Sequence, residues 1–391
     1  MKGKNMVNKY GILLSVCLGI CLLSGCVKSP EVESGEGTAK AEGKGGKAVE
    51  EIMQSQSEDL SQYDFLTETE NGYVCKVSLG DGKAVLNIDA EIENTGEEEV
   101  SVLEAKANIA GWDKDKIKEA FFEGKEGVED ITDIALEEMN IGENEEETAD
   151  DEEIEQFKRM SDSHFLQLKS QDETELFLQD IALYYSDDEL LREGKRMAPE
   201  KEEKDVEGDF SLEAAWNMVE KRFGDAGLGE IKRECGIAEN YEGGEMVYSL
   251  HFTTRVKELP LVTSTGSVSI DELVAGGYAV VRKAGIEMMQ MENGFWDIQT
   301  EKQVQIFHIG QLINLLEQYV SEGRIQCSDE LVFKKCELSY FLSTDDWQNA
   351  TLTPVWRIYI PFAEKIEENI DTAVPCDIVI DASTGEILRM Q

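Results

Sequence analysis

The sequence predicts an α+β protein in which antiparallel sheets carry packed helices, and three observations predict it. Leu86, Ile88, Ala90 and Ile92 alternate with Asn87, Asp89, Glu91 and Glu93, the period of two that a half-buried strand requires. Leu212, Ala215, Trp216, Val219 and Phe223 recur at helical spacing between Ser211, a start signal, and Gly224, a stop signal. Asn293-Gly294 separates two apolar runs, residues 286–291 and 295–298, and is the strongest hairpin signal in the chain. With 391 residues, 41% hydrophobic and 30% charged, the chain has length and apolar content for two domains with real cores.

Residues 1–10 carry Lys2, Lys4 and Lys9 and no acid, residues 11–23 are almost wholly apolar, and small residues follow. This is the order of a secretory signal. The apolar run is shorter than the roughly 20 residues a spanning helix needs. Leu23-Ser24-Gly25-Cys26 closes it and resembles the bacterial lipobox. The resemblance implies that Leu23 is the recognised apolar position, Ser24 and Gly25 are the small ones, and Cys26 is the lipidated first residue after residues 1–25 are removed. It implies a lipid anchor in the cell membrane with the protein on the extracellular face. Each buried methylene contributes about 0.8 kcal/mol, so two or three acyl chains hold firmly. Residues 26–62 are rich in Gly, Ser, Glu and Lys and have little to bury. They are expected to form a disordered spacer reaching about 30 Å.

Residues 63–190 are expected to form a first α+β domain. Tyr73, Cys75, Val77 and Leu79 alternate as a strand, and Gly80-Asp81-Gly82-Lys83 supplies a hairpin turn into the Leu86–Ile92 pattern. Asn94-Thr95-Gly96 then suggests a turn, with residues 100–107 returning as the partner strand. Asp113 can cap a helix whose apolar face is Ile117, Ala120 and Phe121, ending at Gly124. Residues 123–160 form an acidic insert; nine of the thirteen residues from Glu143 to Glu155 are Asp or Glu. It lacks the ligand spacing and central Gly of a calcium loop, so a solvated segment is expected. Residues 176–185 read as one more strand of the first sheet, and the polar stretch 186–209 as the domain boundary.

Residues 211–391 are expected to form a second α+β domain. Behind the helix at Ser211 comes a strand marked by Tyr248, Leu250, Phe252, Thr254 and Val256. A second helix presents Ile309, Leu312, Ile313, Leu316 and Val320 and ends at Gly323, and strands at 332–342, 353–360 and 376–381 follow. A helix followed by antiparallel strands therefore occurs twice, which suggests a duplicated unit.

In this second unit Leu352-Thr353-Pro354-Val355-Trp356-Arg357 and Asp381-Ala382-Ser383-Thr384-Gly385-Glu386-Ile387-Leu388 resemble the ending of PepSY-type domains and of YycH/YycI-type regulators of a membrane sensor kinase. The chain is also similar in layout to uncharacterised lipoproteins of anaerobic Gram-positive bacteria. The resemblance covers about the last 80 residues and rests on Pro354, Trp356, Asp381, Thr384 and Gly385. It implies a non-catalytic, protein-binding or inhibitory ectodomain, with another envelope protein as partner.

Charge and chemistry narrow the remaining classes. A net charge of −45 repels nucleic acid, and no nucleic-acid partner is expected. His164, His251 and His308 are scattered without metal-ligand spacing, and no zinc, phosphate-loop or nucleophile-elbow motif occurs. No catalytic residue, metal or cofactor is therefore assigned. Cys75, Cys235, Cys327, Cys336 and Cys376 are odd in number, so they are read mainly as isolated thiols, with a Cys336–Cys376 bridge as the one pairing considered. Trp216 and Trp356 are read as core, and Trp347, in a polar turn, as the exposed aromatic best placed for a contact. Two further functions stay open: an extracellular ligand-binding protein for a glycan, peptide or cation, and a hydrolase working through paired carboxylates.

Overall fold

A computed structural model describes residues 60–70, 72–81, 84–92, 100–107, 112–134, 165–179, 182–187, 190, 210–240, 246–263, 275–327, 331–344, 349–361 and 377–390. The expectations for Leu23, Ser24, Gly25 and Cys26, most of the spacer, residues 135–164 of the acidic insert and its flank, Trp347 and Cys376 lie outside these residues.

In chain order the first strands are β1 (Leu66–Thr69), β2 (Gly72–Asp81), β3 (Ala84–Ile92) and β4 (Val100–Ala107), followed by helix α1 (Lys114–Phe121). Next come β5 (Glu129–Asp130), β6 (Phe165–Lys169), β7 (Thr174–Gln179) and β8 (Ala182–Asp187). Helix α2 (Leu212–Ala226) leads into β9 (Ile231–Asn240), β10 (Met246–Val256), β11 (Leu259–Pro260), β12 (Gly276–Arg282) and β13 (Gly285–Glu292). The last part holds β14 (Trp296–Val304), α3 (Ile309–Ser321), β15 (Val332–Thr344), β16 (Asn349–Tyr359), β17 (Asp377–Asp381) and β18 (Ile387–Met390).

Among the described residues the strands form two nine-stranded sheets, which makes the protein α+β as the patterning predicts. Sheet I runs β1-β2-β3-β15-β16-β17-β18, with β4 bridging β16 and β14. Sheet II runs β11-β10-β12-β13-β8-β7-β6-β5, with β9 beside β10. The repeated unit is present in each: α2 precedes the antiparallel succession β9, β10, β12, β13, and α3 precedes β15, β16, β17, β18.

Each helix is placed by its caps and apolar face. Asp113 accepts from the Lys116 amide at the start of α1. Ser211 accepts from the Ala214 amide at the start of α2, which runs to Ala226, beyond Gly224, and stops at Gly227 with φ 71°. Trp216, Val219 and Phe223 then pack with Leu250, Phe252, Val281 and Met289 beneath sheet II. His308 caps α3 through Nδ1, which accepts from the Gly310 and Gln311 amides, while the Gln311 side chain accepts from the His308 amide. Ile309, Leu312, Ile313 and Leu316 bury against Leu86, Ile88, Leu338 and Ile358 of sheet I. Fully burying each such side chain contributes about 1.5–3 kcal/mol.

Several expectations are corrected by strand partners distant in sequence. The proposed boundary between 63–190 and 211–391 does not separate the sheets. Strands β1 to β4 join β14 to β18, and β5 to β8 join β9 to β13. Strand β4 does not return beside β3; it pairs with β14 and β16. Residues 176–185 form a hairpin instead of one strand. The buried positions shift from Leu176 and Leu178 to Leu183 and Tyr185, a change of parity that a single strand cannot carry. This hairpin completes sheet II through pairing of β8 with β13.

The Asn293-Gly294 hairpin is also corrected, since β13 and β14 lie in different sheets. Asn293 takes φ 50°, and its carbonyl accepts from Trp296 Nε1 at 2.8 Å. The Gly294 carbonyl accepts from Thr254 Oγ1 at 3.0 Å, and a Cβ there would stand 2.8 Å from Met291 Cγ. Asn-Gly chemistry still turns the chain, but tertiary contacts send it across to sheet I.

Candidate functional site

The motif residues of the second unit build a hairpin and seat it on α3. Trp356 is fully buried, and its Nε1 donates to the Phe307 carbonyl at 2.8 Å. The Pro354 carbonyl accepts from the Ala382 amide at 2.9 Å, which holds the end of β17 against β16. Asp381 Oδ1 accepts from the Ser383 amide at 2.7 Å and the Thr384 amide at 2.9 Å, closing a side-chain-to-backbone turn. Thr384 Oγ1 accepts from the Glu386 amide at 3.3 Å. Gly385 has φ 73°, and its carbonyl accepts from the Tyr319 hydroxyl of α3. The roles of Pro354, Trp356, Asp381, Thr384 and Gly385 in this structure are thus conformational.

The chemistry that sheet I and sheet II share lies on the opposite face of β15 to β18. Arg357 on β16 and Asp377 on β17 are 1% and 0% exposed. The Arg357 guanidinium donates to Asp377 Oδ2 from Nη2 at 3.0 Å and from Nε at 3.3 Å, and lies 3.9 Å from the centre of the Tyr359 ring. Arg389 on β18 donates to the same Oδ2 at 3.0 Å. Both arginines also donate to the Thr263 carbonyl, at 3.2 and 3.0 Å, just beyond β11. Two residues earlier, Leu261 forms a parallel bridge with Tyr340, and the Val262 amide donates to the Tyr340 carbonyl at 2.9 Å. The segment after β11 therefore stitches sheet II onto the edge of β15.

A second ionic group crosses the same junction. Lys232 on β9 donates to Glu337 on β15, and Arg357 Nη1 stands 3.9 Å from the other Glu337 oxygen. Glu234, also on β9, has its Oε1 3.9 Å from the Lys232 ammonium. Lys232 and Glu234 stand two residues apart and so share one face of β9, and a β-bulge falls at Glu234. His251 faces Cys235 and Phe252 faces Arg233, so Glu234 is the extra residue. Arg233 points the other way, to Glu213 and Glu220 on α2.

Burial raises the Glu234 carboxyl above the usual range, the neighbouring Glu337 adds to the rise, and Lys232 and Arg357 oppose it. Burial likewise pushes the Tyr359 hydroxyl up, with Glu337 and Glu234 adding to it. Burial works against the Arg357 charge, but Asp377 beside it more than restores that charge. Glu234 and Glu337 converge on a single ammonium, with their side chains 14% and 13% exposed. Such a cluster can hold or release a proton and lock two sheets in register; buried ion pairs also cost desolvation, so their gain is specificity as much as stability.

Periodicity did not identify β9, because Lys232, Glu234 and Arg233 make it read as a surface segment. Lys232 and Glu234, one on each side of Arg233, are the signal that was available; the strand's period of two gives them a common face. His308 is the α3 cap, and His251 is half-buried opposite Cys235, where burial lowers its imidazole. Among the described residues no group of His, Cys, Asp and Glu side chains has the arrangement of a metal site. Cys75, Cys235, Cys327 and Cys336 are buried thiols, and the Cys336–Cys376 pairing considered above involves a residue outside the described ones.

The chain matches no protein-family model and no curated protein. Among solved structures it is similar to the crystal structure, at 1.45 Å resolution, of an uncharacterized protein from Eubacterium rectale ATCC 33656. The two share 13% identity with a TM-score of 0.49, over 88% of this chain and 98% of that one.

Proposed function

We propose that this chain is a lipid-anchored protein of the extracellular face, whose folded part is a non-catalytic binding or regulatory module for another envelope protein. The observation that carries the proposal is Leu23-Ser24-Gly25-Cys26 at the end of a basic, then apolar, segment. A diacylated Cys26 would tether the chain, and residues 26–59 give the folded part reach from the surface. The use of the assembled charges supports a binding role. Arg357, Asp377 and Arg389 bond to one another and to the Thr263 carbonyl inside the fold. The family-like motif residues are engaged in holding the β17–β18 hairpin on α3.

Two measurements test the two halves of this reading. In cells fed an alkyne fatty acid, the wild-type chain should carry the label and Cys26→Ser should not. An unlabelled wild-type chain in the medium would remove the anchor. Photo-crosslinkers on the exposed positions of the folded part should capture one specific membrane protein in intact cells. Diffuse capture, together with unchanged envelope processes after deletion, would remove the partner.

A further inference from the structure

We infer that the β9 bulge and the edge of β15 form a proton-controlled latch between the two sheets, with Glu234 as the group that gains or loses the proton. The geometry carries this reading. Lys232 is the nearest cation to Glu234, yet its ammonium is already engaged by Glu337, and 3.9 Å to Glu234 Oε1 is too long for a hydrogen bond. Among the described residues that buried oxygen has no hydrogen-bond partner. An ionised carboxylate left in this state is costly, whereas the neutral acid is tolerated.

The groups facing Glu234 come from every neighbouring strand. Lys232 lies on β9 itself, and β10 contributes Thr253 opposite Lys232 and His251 opposite Cys235. Glu337 comes from β15, Arg357 and Tyr359 from β16, and Asp377 from β17, with Arg389 of β18 bound to Asp377. In formal charge, three cations face three carboxyl groups, so the whole set balances when Glu234 is ionised. The balance is not local: both arginines are directed to Asp377, and the lysine to Glu337. Burial and Glu337 raise the Glu234 carboxyl, so the folded state favours its protonated form. The sign follows: the stabilisation is complete at low pH and is lost as pH rises through the folded-state titration of Glu234. Loss of the proton sets two carboxylates against one lysine across the sheet junction.

The test is exchange protection of the Val262 amide, which donates to Tyr340 at that junction, measured on the full chain against intrinsic rates. Wild-type protection should fall by up to roughly tenfold per pH unit between the ordinary carboxylate range and the folded-state titration of Glu234 and level off above it, while amides in the centre of β16 stay protected. Glu234→Gln should abolish the fall, and Glu337→Gln should also abolish it by releasing Lys232 to Glu234. Infrared spectra of the wild-type chain should show a protonated carboxyl band that persists above the ordinary carboxylate range and disappears on unfolding; this reading needs no variant to fold. Unchanged Val262 protection from the ordinary carboxylate range upward, the same fall in Glu234→Gln, or an absent band would each overturn the latch.

Discussion

Asp377→Asn should cost the fold about 3 kcal/mol, near the lower end of the roughly 3–5 kcal/mol for breaking a buried ion pair by removing one partner. The magnitude follows from what the substitution leaves behind. Arg357 and Arg389 are 1% and 4% exposed, and both direct Nη2 to Asp377 Oδ2 at 3.0 Å. Asn retains one acceptor oxygen but no charge, so two buried guanidinium groups lose their common counter-ion. Three contacts limit the damage: the Thr263 carbonyl accepts from both arginines, Tyr359 stacks beneath Arg357, and Glu337 lies 3.9 Å from Arg357 Nη1. Arg389→Met should cost less, about 1–2 kcal/mol, because Asp377 keeps Arg357 and the methionine chain keeps much of the packing. Denaturant titration of both variants, read by circular dichroism and tryptophan fluorescence, measures the asymmetry. An Asp377→Asn cost below about 1 kcal/mol, or an Arg389→Met cost exceeding it, would refute the central place given to Asp377.

Gly385→Ala should lower stability by about 2–4 kcal/mol, combining a side chain at φ 73° with a Cβ only 2.9 Å from Leu315 Cδ2; the denaturation midpoint should shift without a change of slope. Burial alone would raise Asp172, but hydrogen bonds from Lys125 and Ser170 and the Lys125 charge hold it down to about 2. Its contribution, about 1–2 kcal/mol once partial exposure is discounted, is therefore present above about pH 4 and lost as pH falls toward 2; Lys125→Met should flatten that acid limb of the stability profile. Burial pushes the Cys75 thiol up to about 12, with Asp89 adding to it, and burial raises Cys336 as well. Both should be inert to a thiol reagent at neutral pH in the folded chain and react at once in denaturant; fast labelling of either without denaturant would show that β2 and β15 open locally.

Local pattern was a good guide where one face of an element meets one core. The Leu86, Ile88, Ala90, Ile92 alternation became β3, and the residues flanking Gly80-Asp81-Gly82-Lys83 became paired strands, with Asp81 opposite Ala84. The Trp216, Val219, Phe223 stripe became the buried face of α2. Pattern was a poor guide where a strand carries charge inward. Strand β9 sends Lys232 and Glu234 to the sheet junction, so its composition describes a surface while its position is internal.

By itself the sequence determined the α+β class, the helices with the N-caps Asp113 and Ser211, the repeated helix-and-strands unit and the lipobox-like stretch, because each depends on residues close to one another in the chain. Only the tertiary structure decided which strands share a sheet, why Asn293-Gly294 crosses between sheets, and how Glu234, Lys232, Glu337, Arg357, Asp377 and Arg389 meet. Sheet pairing joins backbones more than 200 residues apart, as in the parallel pairing of β3 with β15. A strand's own residues specify which face it buries; its neighbours are selected by the packing of the whole chain.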